Sequence, residues 1–91
     1  SPRHSCIFVT VGSINASIVH PREIMKVLIT SNCACCIVGH NHPSNDVTPS
    51  PEDIDMTNRL VESGKILGID ILDHLVLGSD KFLSLKEKGY M

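Results

Sequence analysis

Apolar residues recur with two different periods along this chain of 91 residues. Short continuous or alternating apolar runs are typical of strands, whereas spacings of three and four are typical of helices. The runs predict strands at residues 6–11, 34–38, 69–77 and 82–85, with a less regular strand or a continuation of the first at 14–19. Helical spacing predicts one helix from His20-Pro21 to Ser31-Asn32 and another from Ser50-Pro51 to between Gly64 and Gly68.

The order strand, helix, strand, helix, strand predicts an α/β sandwich, in which one mixed sheet is flanked by helices. No repeat or linker interrupts the pattern, so residues 1–91 are expected to form a single domain. The charged residues after position 85 are predicted to be a frayed tail. The chain begins Ser1-Pro2-Arg3 without an initiator Met, so we expect a longer protein in which at least one strand precedes these residues. A homodimer that covers the sheet edge left by a missing strand is one expected assembly.

Charge and composition argue against two classes of protein. The eight Lys and Arg are scattered along a chain of net charge −2, so direct binding of nucleic acid is not expected. No apolar run approaches the roughly 18 residues of a membrane span, and no signal peptide is recognised. The sequence therefore favours a cytoplasmic protein without a membrane anchor.

The four cysteines, Cys6, Cys33, Cys35 and Cys36, form no CxxC pair. Neighbouring residues on a strand point to opposite faces, so the last three are badly placed to enclose one zinc ion. They are interpreted as small buried apolar residues in a reducing cytoplasm. With two Phe, one Tyr and no Trp, the core is expected to consist of aliphatic residues, Met and Cys.

Candidate chemistry is concentrated at the end of the predicted strand 34–38 and the start of the second helix. His40 and His42 are two residues apart, so both side chains point to one side of the chain. Asp53 lies in the first turn of the helix, and helical side chains lean toward the N-terminus, which directs its carboxylate to the histidines. Two imidazoles and one carboxylate suit a zinc ion with an open fourth position. Taken singly, each of these is more often a surface histidine or a capping acid, and Ser50 is a helix N-cap in either case.

The spacing His-x-His, seven residues, Ser, two residues, Asp is that of the JAMM motif of MPN-type zinc isopeptidases, and His40, His42, Ser50 and Asp53 fit it without a gap. The wider chain resembles the bacterial RadC-like proteins from about residue 11 to residue 77. The segments that carry the resemblance are VHPREI at 19–24, GHNHPS at 39–44, PSPEDI at 49–54 and LDH at 72–74.

The resemblance implies that His40, His42 and Asp53 bind Zn²⁺ and that Ser50 stabilises a tetrahedral intermediate. It implies a three-layer α/β sandwich like that of cytidine deaminases, with the metal at one edge of the sheet. The implied activity is that of a metallopeptidase, in which a zinc-bound water attacks the peptide or isopeptide carbonyl of a protein or peptide substrate. The RadC-like family is also associated with DNA repair.

This sequence departs from the family at two positions. The family uses a glutamate general base on a strand well before the first histidine, and no Glu precedes Glu23 here. Glu23 is interpreted as an acid that stabilises the start of the first helix, so the base is expected outside this chain, absent, or replaced by another acid. Asn45 stands where the family usually has Gly, and Asn tolerates positive φ better than most residues. His74 matches the family's Asp-His pair and is interpreted as a structural histidine bonded to Asp73 or to the backbone, with a role behind the metal ligands as the alternative.

Two other functions compete with the zinc hydrolase. The first is a non-catalytic MPN-like module for protein contacts, which the missing upstream Glu supports. The second is a protein associated with DNA repair that has no nuclease activity of its own. The letters His-Asn-His also match the name of the HNH nucleases. Those enzymes need their histidines spread over a hairpin and a helix, and the contiguous triplet at 40–42 does not provide that arrangement.

Overall fold

A computed structural model describes residues 4–10 and 20–91 of the chain. These residues form four strands and two helices, in the order β1 (His4–Thr10), α1 (Pro21–Thr30), β2 (Cys33–Asn41), α2 (Pro51–Leu67), β3 (Asp70–Leu77) and β4 (Phe82–Ser84). The predicted order of strands and helices is confirmed for this part of the chain. The predicted turn at Gly12-Ser13 and the predicted strand at 14–19 lie outside the described residues.

The four strands form one mixed sheet in the order β1-β2-β3-β4. The first three strands are parallel, and β4 pairs with β3 in the antiparallel direction. The connections from β1 to β2 and from β2 to β3 each move one strand position in the same direction across the sheet. Crossover connections between parallel strands are almost always right-handed. They therefore place α1 and α2 on the same face, where the two helices contact each other. The predicted α/β fold with a mixed sheet is confirmed.

The core lies between the two helices and the sheet. It is built from aliphatic residues, Met and Cys, as the composition predicts: Ile24, Met25, Leu28, Cys33, Cys36, Val38, Met56, Leu60 and Ile69. Burial of one such aliphatic side chain contributes about 1.5–3 kcal/mol. The buried helix faces fix where the first turn of α2 lies relative to β2.

The helix ends follow the local signals in the sequence. His20 caps α1 by accepting a hydrogen bond from the Arg22 backbone N–H, and Asn32 follows the helix with φ of 56°. Helix α2 begins after Ser50 with a capping box and ends at Gly68, which has φ of 75°. Gly at this position is favoured because the left-handed conformation costs little without a Cβ.

Strand β2 is longer than predicted. The sequence places its end before Gly39, whereas the strand continues to Asn41 because Thr10 and Val76 of its neighbours pair with His40. His40 is therefore a residue of a central strand and is fully buried. The prediction places His40 and His42 directly after the strand, at its end, and begins the loop at Pro43.

The prediction of a frayed tail after residue 85 is wrong. Leu85 is fully buried, and its backbone N–H donates to the His74 carbonyl at 2.9 Å. The turn that follows is closed by hydrogen bonds from Lys88 to Ser84 and from Tyr90 to Leu85. The Asp73 carboxylate accepts from the Lys86 N–H. This hydrogen bond and the buried Leu85 side chain hold the charged segment on the sheet.

The interpretation of all four cysteines as unpaired thiols is also wrong. Cys6 and Cys33 form a disulfide between β1 and β2. Their Cα atoms are 5.8 Å apart, within the usual range for a disulfide. Cys36 is buried as expected, and Cys35 is half-buried, with its Sγ 3.1 Å from Ser5 Oγ.

Neither α1 nor α2 is long and apolar enough to cross a membrane.

Candidate metal centre

Three side chains converge where β2 ends beside the start of α2. His40 Nε2 lies 2.9 Å from His42 Nε2 and 3.5 Å from Asp53 Oδ1. His42 Nε2 lies 3.6 Å from Asp53 Oδ2. One ligand atom from each residue can be chosen so that all lie within 4.8 Å of one another. The structure thus brings together the three residues that the sequence predicts as metal ligands.

The capping box of α2 orients the carboxylate. Ser50 Oγ accepts from the Asp53 backbone N–H at 3.1 Å, and the Ser50 backbone N–H donates to Asp53 Oδ2 at 2.8 Å. Because these reciprocal bonds satisfy two free N–H groups of the first turn, they form as soon as the helix does. Asp53 is therefore held by local structure, with Oδ1 turned toward His40.

His42 is positioned from the solvent side. Its Nδ1 lies 2.6 Å from the carbonyl oxygen of Asp46, and a carbonyl has no proton to donate, so Nδ1 carries the proton. The other ring nitrogen, Nε2, then faces His40 and Asp53 with a free lone pair. One-fifth of the His42 side chain is exposed. A cleft of about 450 Å³ opens here, lined by His42, Pro43, Ser44, Asp46 and Thr48.

His40 is positioned from the buried side, through two residues that are themselves fully buried. His40 Nδ1 lies 2.7 Å from His74 Nε2, and His74 Nδ1 is hydrogen-bonded to Thr57 Oγ1. Thr57 Oγ1 donates to the Asp53 carbonyl oxygen at 2.7 Å. The predicted ring partners of His74, Asp73 or a backbone group, are wrong, because Asp73 Oδ1 accepts from the His74 backbone N–H and the ring contacts His40 and Thr57. The ring lies behind a candidate ligand, as the alternative interpretation expects.

Burial keeps both inner histidines neutral at neutral pH. It lowers the pKa of His40, an effect that the nearby Asp53 carboxylate partly opposes. It lowers the pKa of His74 to about 4, and the neighbouring His40 adds to this shift. A neutral imidazole is the form that binds a metal, and His40 is the candidate ligand of these two histidines.

The donor set suits zinc. Two neutral imidazole nitrogens and one carboxylate oxygen are typical ligands of a catalytic zinc ion, which keeps a fourth position for water or substrate. In this arrangement two imidazole nitrogens and a carboxylate face one point, and the carboxylate charge there would attract a cation. The solvent cleft beside His42 provides access to that point.

Of two other candidate residues, Ser50 lies next to the ligand group and Glu23 does not. Ser50 lies directly beside Asp53, and its Oγ accepts one hydrogen bond and keeps its own proton. Glu23 is exposed in the first turn of α1, where its carboxylate lies 3.8 Å from Arg22, and it is not part of the ligand group. Thr57 was not singled out in the sequence. The only local signal for it is its position one turn after Asp53, on the same side of the helix.

Asn45 connects the loop after β2 to the turn between β3 and β4. Its φ is 62°, so the positive φ expected at this position is observed. The side-chain Oδ1 accepts from the Ser79 backbone N–H at 2.6 Å, and Nδ2 donates to Asp80 Oδ1 at 3.0 Å. Gly, which the resemblance leads one to expect here, would keep the backbone conformation and lose both bonds.

Substitution Asn45→Gly is therefore expected to lower the free energy of unfolding by about 1–2 kcal/mol, because each hydrogen bond contributes about 0.5–1.5 kcal/mol. Urea denaturation measures this difference. Asp80→Ala removes only one of the two hydrogen bonds and should lower the free energy of unfolding by a smaller amount. An Asn45→Gly protein as stable as the unchanged one would contradict the role of Asn45.

Comparison with known proteins shows what the chain is similar to. A family model described as "RadC-like JAB domain" matches residues 4–90. A "UPF0758 protein" from Geobacillus thermodenitrificans is 61% identical over 83 residues, which cover 91% of this chain and 37% of that protein. The "UPF0758 protein YsxA" of Bacillus subtilis is 58% identical over 83 residues, covering 91% of this chain and 36% of that protein. The chain thus spans little more than a third of the length of these relatives.

Proposed function

The chain belongs to the RadC-like JAB domain family, and on that premise we propose that it carries the zinc centre of a JAMM-type hydrolase of peptide or isopeptide bonds. One observation carries the proposal, the convergence of ligand atoms from His40, His42 and Asp53 within 4.8 Å. The substrate class we propose is a protein or peptide, which approaches through the cleft beside His42.

His40, His42 and Asp53 would hold the zinc ion, each held in place by a different part of the fold. When bound, zinc supplies a Lewis acid that polarises a carbonyl and makes water more acidic. The Asp46 carbonyl keeps the proton of His42 on Nδ1, which leaves Nε2 free to bind. The capping box keeps Asp53 turned to the same point, and the N-terminus of α2 adds a partial positive charge there.

Ser50 is suited to stabilise a developing oxyanion. Its Oγ accepts from the Asp53 N–H, and the hydroxyl proton makes no hydrogen bond among the described residues. A hydroxyl fixed in this way can donate to an oxygen that gains charge in the transition state. The family resemblance implies a glutamate that transfers a proton to the leaving amine, and no Glu precedes Glu23 in this sequence.

The activity test uses the intact zinc-loaded protein with two fluorogenic probes, a peptide and a peptide joined through a lysine ε-amide. We expect hydrolysis of at least one probe, lost on chelation of the metal. Ser50→Asn retains a capping side chain but has no hydroxyl, so we expect kcat to fall about 100- to 1,000-fold. Ser50→Thr, which keeps both functions, should restore part of the rate.

Ser63→Ala is the matched control, because Ser63 lies on the same helix and its hydroxyl donates to the Arg59 carbonyl, away from the ligand group. It should leave the rate unchanged. Hydrolysis of neither probe by protein that contains stoichiometric zinc would contradict the proposal. The result would favour a module for protein contacts instead.

A further inference from the structure

We propose that the groove between α1 and α2 is a docking site for an acidic, amphipathic helix of a partner protein. The groove has a volume of about 540 Å³, and the residues that line it belong to α1, its cap His20, and α2. None of the three candidate metal ligands lines it. The proposal is therefore independent of the proposed function.

The groove is an open trough with an apolar floor. Pro21 and Met25 of α1 are buried, and both line it. Ile29 of α1 and Leu67 of α2 also line it, and they are 54% and 46% exposed. An enclosed cavity would suit a small molecule, whereas apolar side chains left open between two helices suit the apolar face of a third helix.

The groove is long enough to hold a short helix. Arg59 Nη2 lies 3.5 Å from His20 Nε2, at the start of α1, and Leu67 lines the groove further along α2. At a rise of 1.5 Å per residue, the distance along α2 from position 59 to position 67 is about 12 Å. A partner helix of about two turns covers this length and can place apolar residues, three or four positions apart, along the floor.

The charged residues that line the groove are cations. They are Arg22, Lys26 and Arg59, and no described Asp or Glu lines it. Arg22 lies 3.8 Å from the Glu23 carboxylate, whereas in the described part of the chain neither Lys26 nor Arg59 makes an ion pair. The chain as a whole has a net charge of −2, so the groove concentrates charge of the opposite sign. Carboxylates of a partner would complete these ion pairs, and such complementarity selects the partner and speeds its approach.

Two other classes of partner fit the groove less well. Nucleic acid would pair its phosphates with the cations, but no Phe or Tyr is among the described residues that line the groove, so no base could stack there. An anionic membrane contacts side chains that protrude, whereas Pro21 and Met25 are recessed and buried. An acidic helix with an apolar face satisfies both the cations and the floor.

Peptide display on the intact protein tests the chemistry of the partner. Three libraries of helical peptides share Leu at spacings of three and four, and they differ in the flanking positions, which carry Glu, Gln or Lys. We expect selection to enrich the Glu library, and we expect binding of its peptides to weaken as the salt concentration is raised. Enrichment of the Lys library, equal enrichment of the Glu and Gln libraries, or no enrichment would overturn the proposal.

Charge reversal tests whether the selected peptides bind in the groove. The variant with both Lys26→Glu and Arg59→Glu should bind a selected Glu peptide at least about 10-fold more weakly and should enrich the Lys library instead. Both positions are exposed, so the fold should be retained, which circular dichroism checks. The matched control combines Lys65→Glu with Lys88→Glu, which changes the net charge equally at exposed positions outside the groove. The control should keep the preference for Glu, and loss of that preference in both variants would contradict binding in the groove.

Leu67→Ser tests the apolar part of the groove. Because the variant loses an apolar contact, the Kd for a selected Glu peptide should rise about 5- to 30-fold. Ile66→Ser is the matched control, since Ile66 is the preceding residue of α2, is 84% exposed and does not line the groove. It should leave the Kd unchanged. Equal weakening by the two variants, or weakening by neither, would place the peptide elsewhere and overturn the proposal.

Other occupants of the groove give different results with the same double variant. A single-stranded oligonucleotide or a phosphatidylglycerol vesicle that binds the intact protein, and fails to bind the variant with Lys26→Glu and Arg59→Glu, would assign the cations to phosphate and overturn the proposal. Self-association of the intact protein that the double variant abolishes, measured by sedimentation, would assign the groove to a second copy. We expect neither probe to bind through the groove, and we expect the double variant to keep the oligomeric state of the unchanged protein.

Discussion

Substitution His40→Ala is expected to reduce the zinc content of the purified intact protein from near one equivalent to near none. The side chain supplies one of three ligands, and it does so from a fully buried position, where no other described side chain offers a replacement. Loss of a group that supports a metal ligand typically weakens metal binding about 10- to 100-fold. Loss of the ligand itself should weaken zinc binding further. Elemental analysis after dialysis measures the stoichiometry.

Two further variants sharpen this result. His4→Ala removes an exposed imidazole on β1 and should leave the zinc content unchanged. Asp53→Asn keeps an oxygen that can accept from the Ser50 N–H but removes the charge, so it should weaken zinc binding while the start of α2 stays formed. The proposed zinc centre would be contradicted if the unsubstituted protein contained no zinc, or if His40→Ala left the zinc content unchanged.

Substitution Gly64→Ala is expected to destabilise the fold, against the usual rule for helices. In an exposed helix interior this change stabilises by about 1 kcal/mol, because Gly has the greater freedom in the unfolded chain. Here a Cβ on Gly64 would lie 2.1 Å from the carbonyl oxygen of Ile69, a backbone atom. Ile69 cannot easily withdraw, since its side chain is buried and its N–H donates to the Gly64 carbonyl at 2.8 Å.

The free energy of unfolding should therefore fall by about 1–3 kcal/mol, the usual range for overpacking. Urea denaturation followed by circular dichroism provides the value. Asn58→Ala, at an exposed position of the same helix, is the control and should be neutral or slightly stabilising. A Gly64→Ala protein more stable than the unchanged one would show that α2 does not approach Ile69 this closely.

Asp53 combines three roles that depend on different atoms of one residue. Its backbone N–H and Oδ2 complete the capping box with Ser50, its carboxylate faces the two histidines, and its carbonyl anchors Thr57. The start of α2 and the candidate metal centre are therefore a single structural unit. Asp53→Ala will therefore affect stability and metal binding together, whereas Asp53→Asn keeps the capping oxygen and separates the two effects.

Much of the candidate site could be predicted from the sequence because it depends on short spacings. His40 and His42 point the same way through the period of a strand, and Ser50 with Asp53 forms a capping box through the period of a helix. These are local rules, and each can be applied without knowing the fold. That zinc binds there, and that Ser50 assists a reaction, remain predictions.

The remaining features were missed because they join residues far apart in the chain. Strand β2 continues through His40 only because Thr10 and Val76 lie beside it in the parallel register. The disulfide between Cys6 and Cys33 also joins two strands that are far apart in the sequence, β1 and β2. Neither feature has a signal in the residues nearby, so reasoning from local pattern ended the strand early and left the thiols unpaired.

By itself, then, the sequence determined the order of the elements, the helix ends and the identity of the three candidate ligands, since all of these follow from backbone periods and from spacing. Only the tertiary structure decided what stands behind the ligands. The contacts behind His40 require Thr57 from α2 and His74 from β3 to lie beside β2, and packing of the helices on the sheet brings them there. The close approach of Gly64 to Ile69 has the same origin, because a distance between two elements is set by the side chains packed between them and by no single segment.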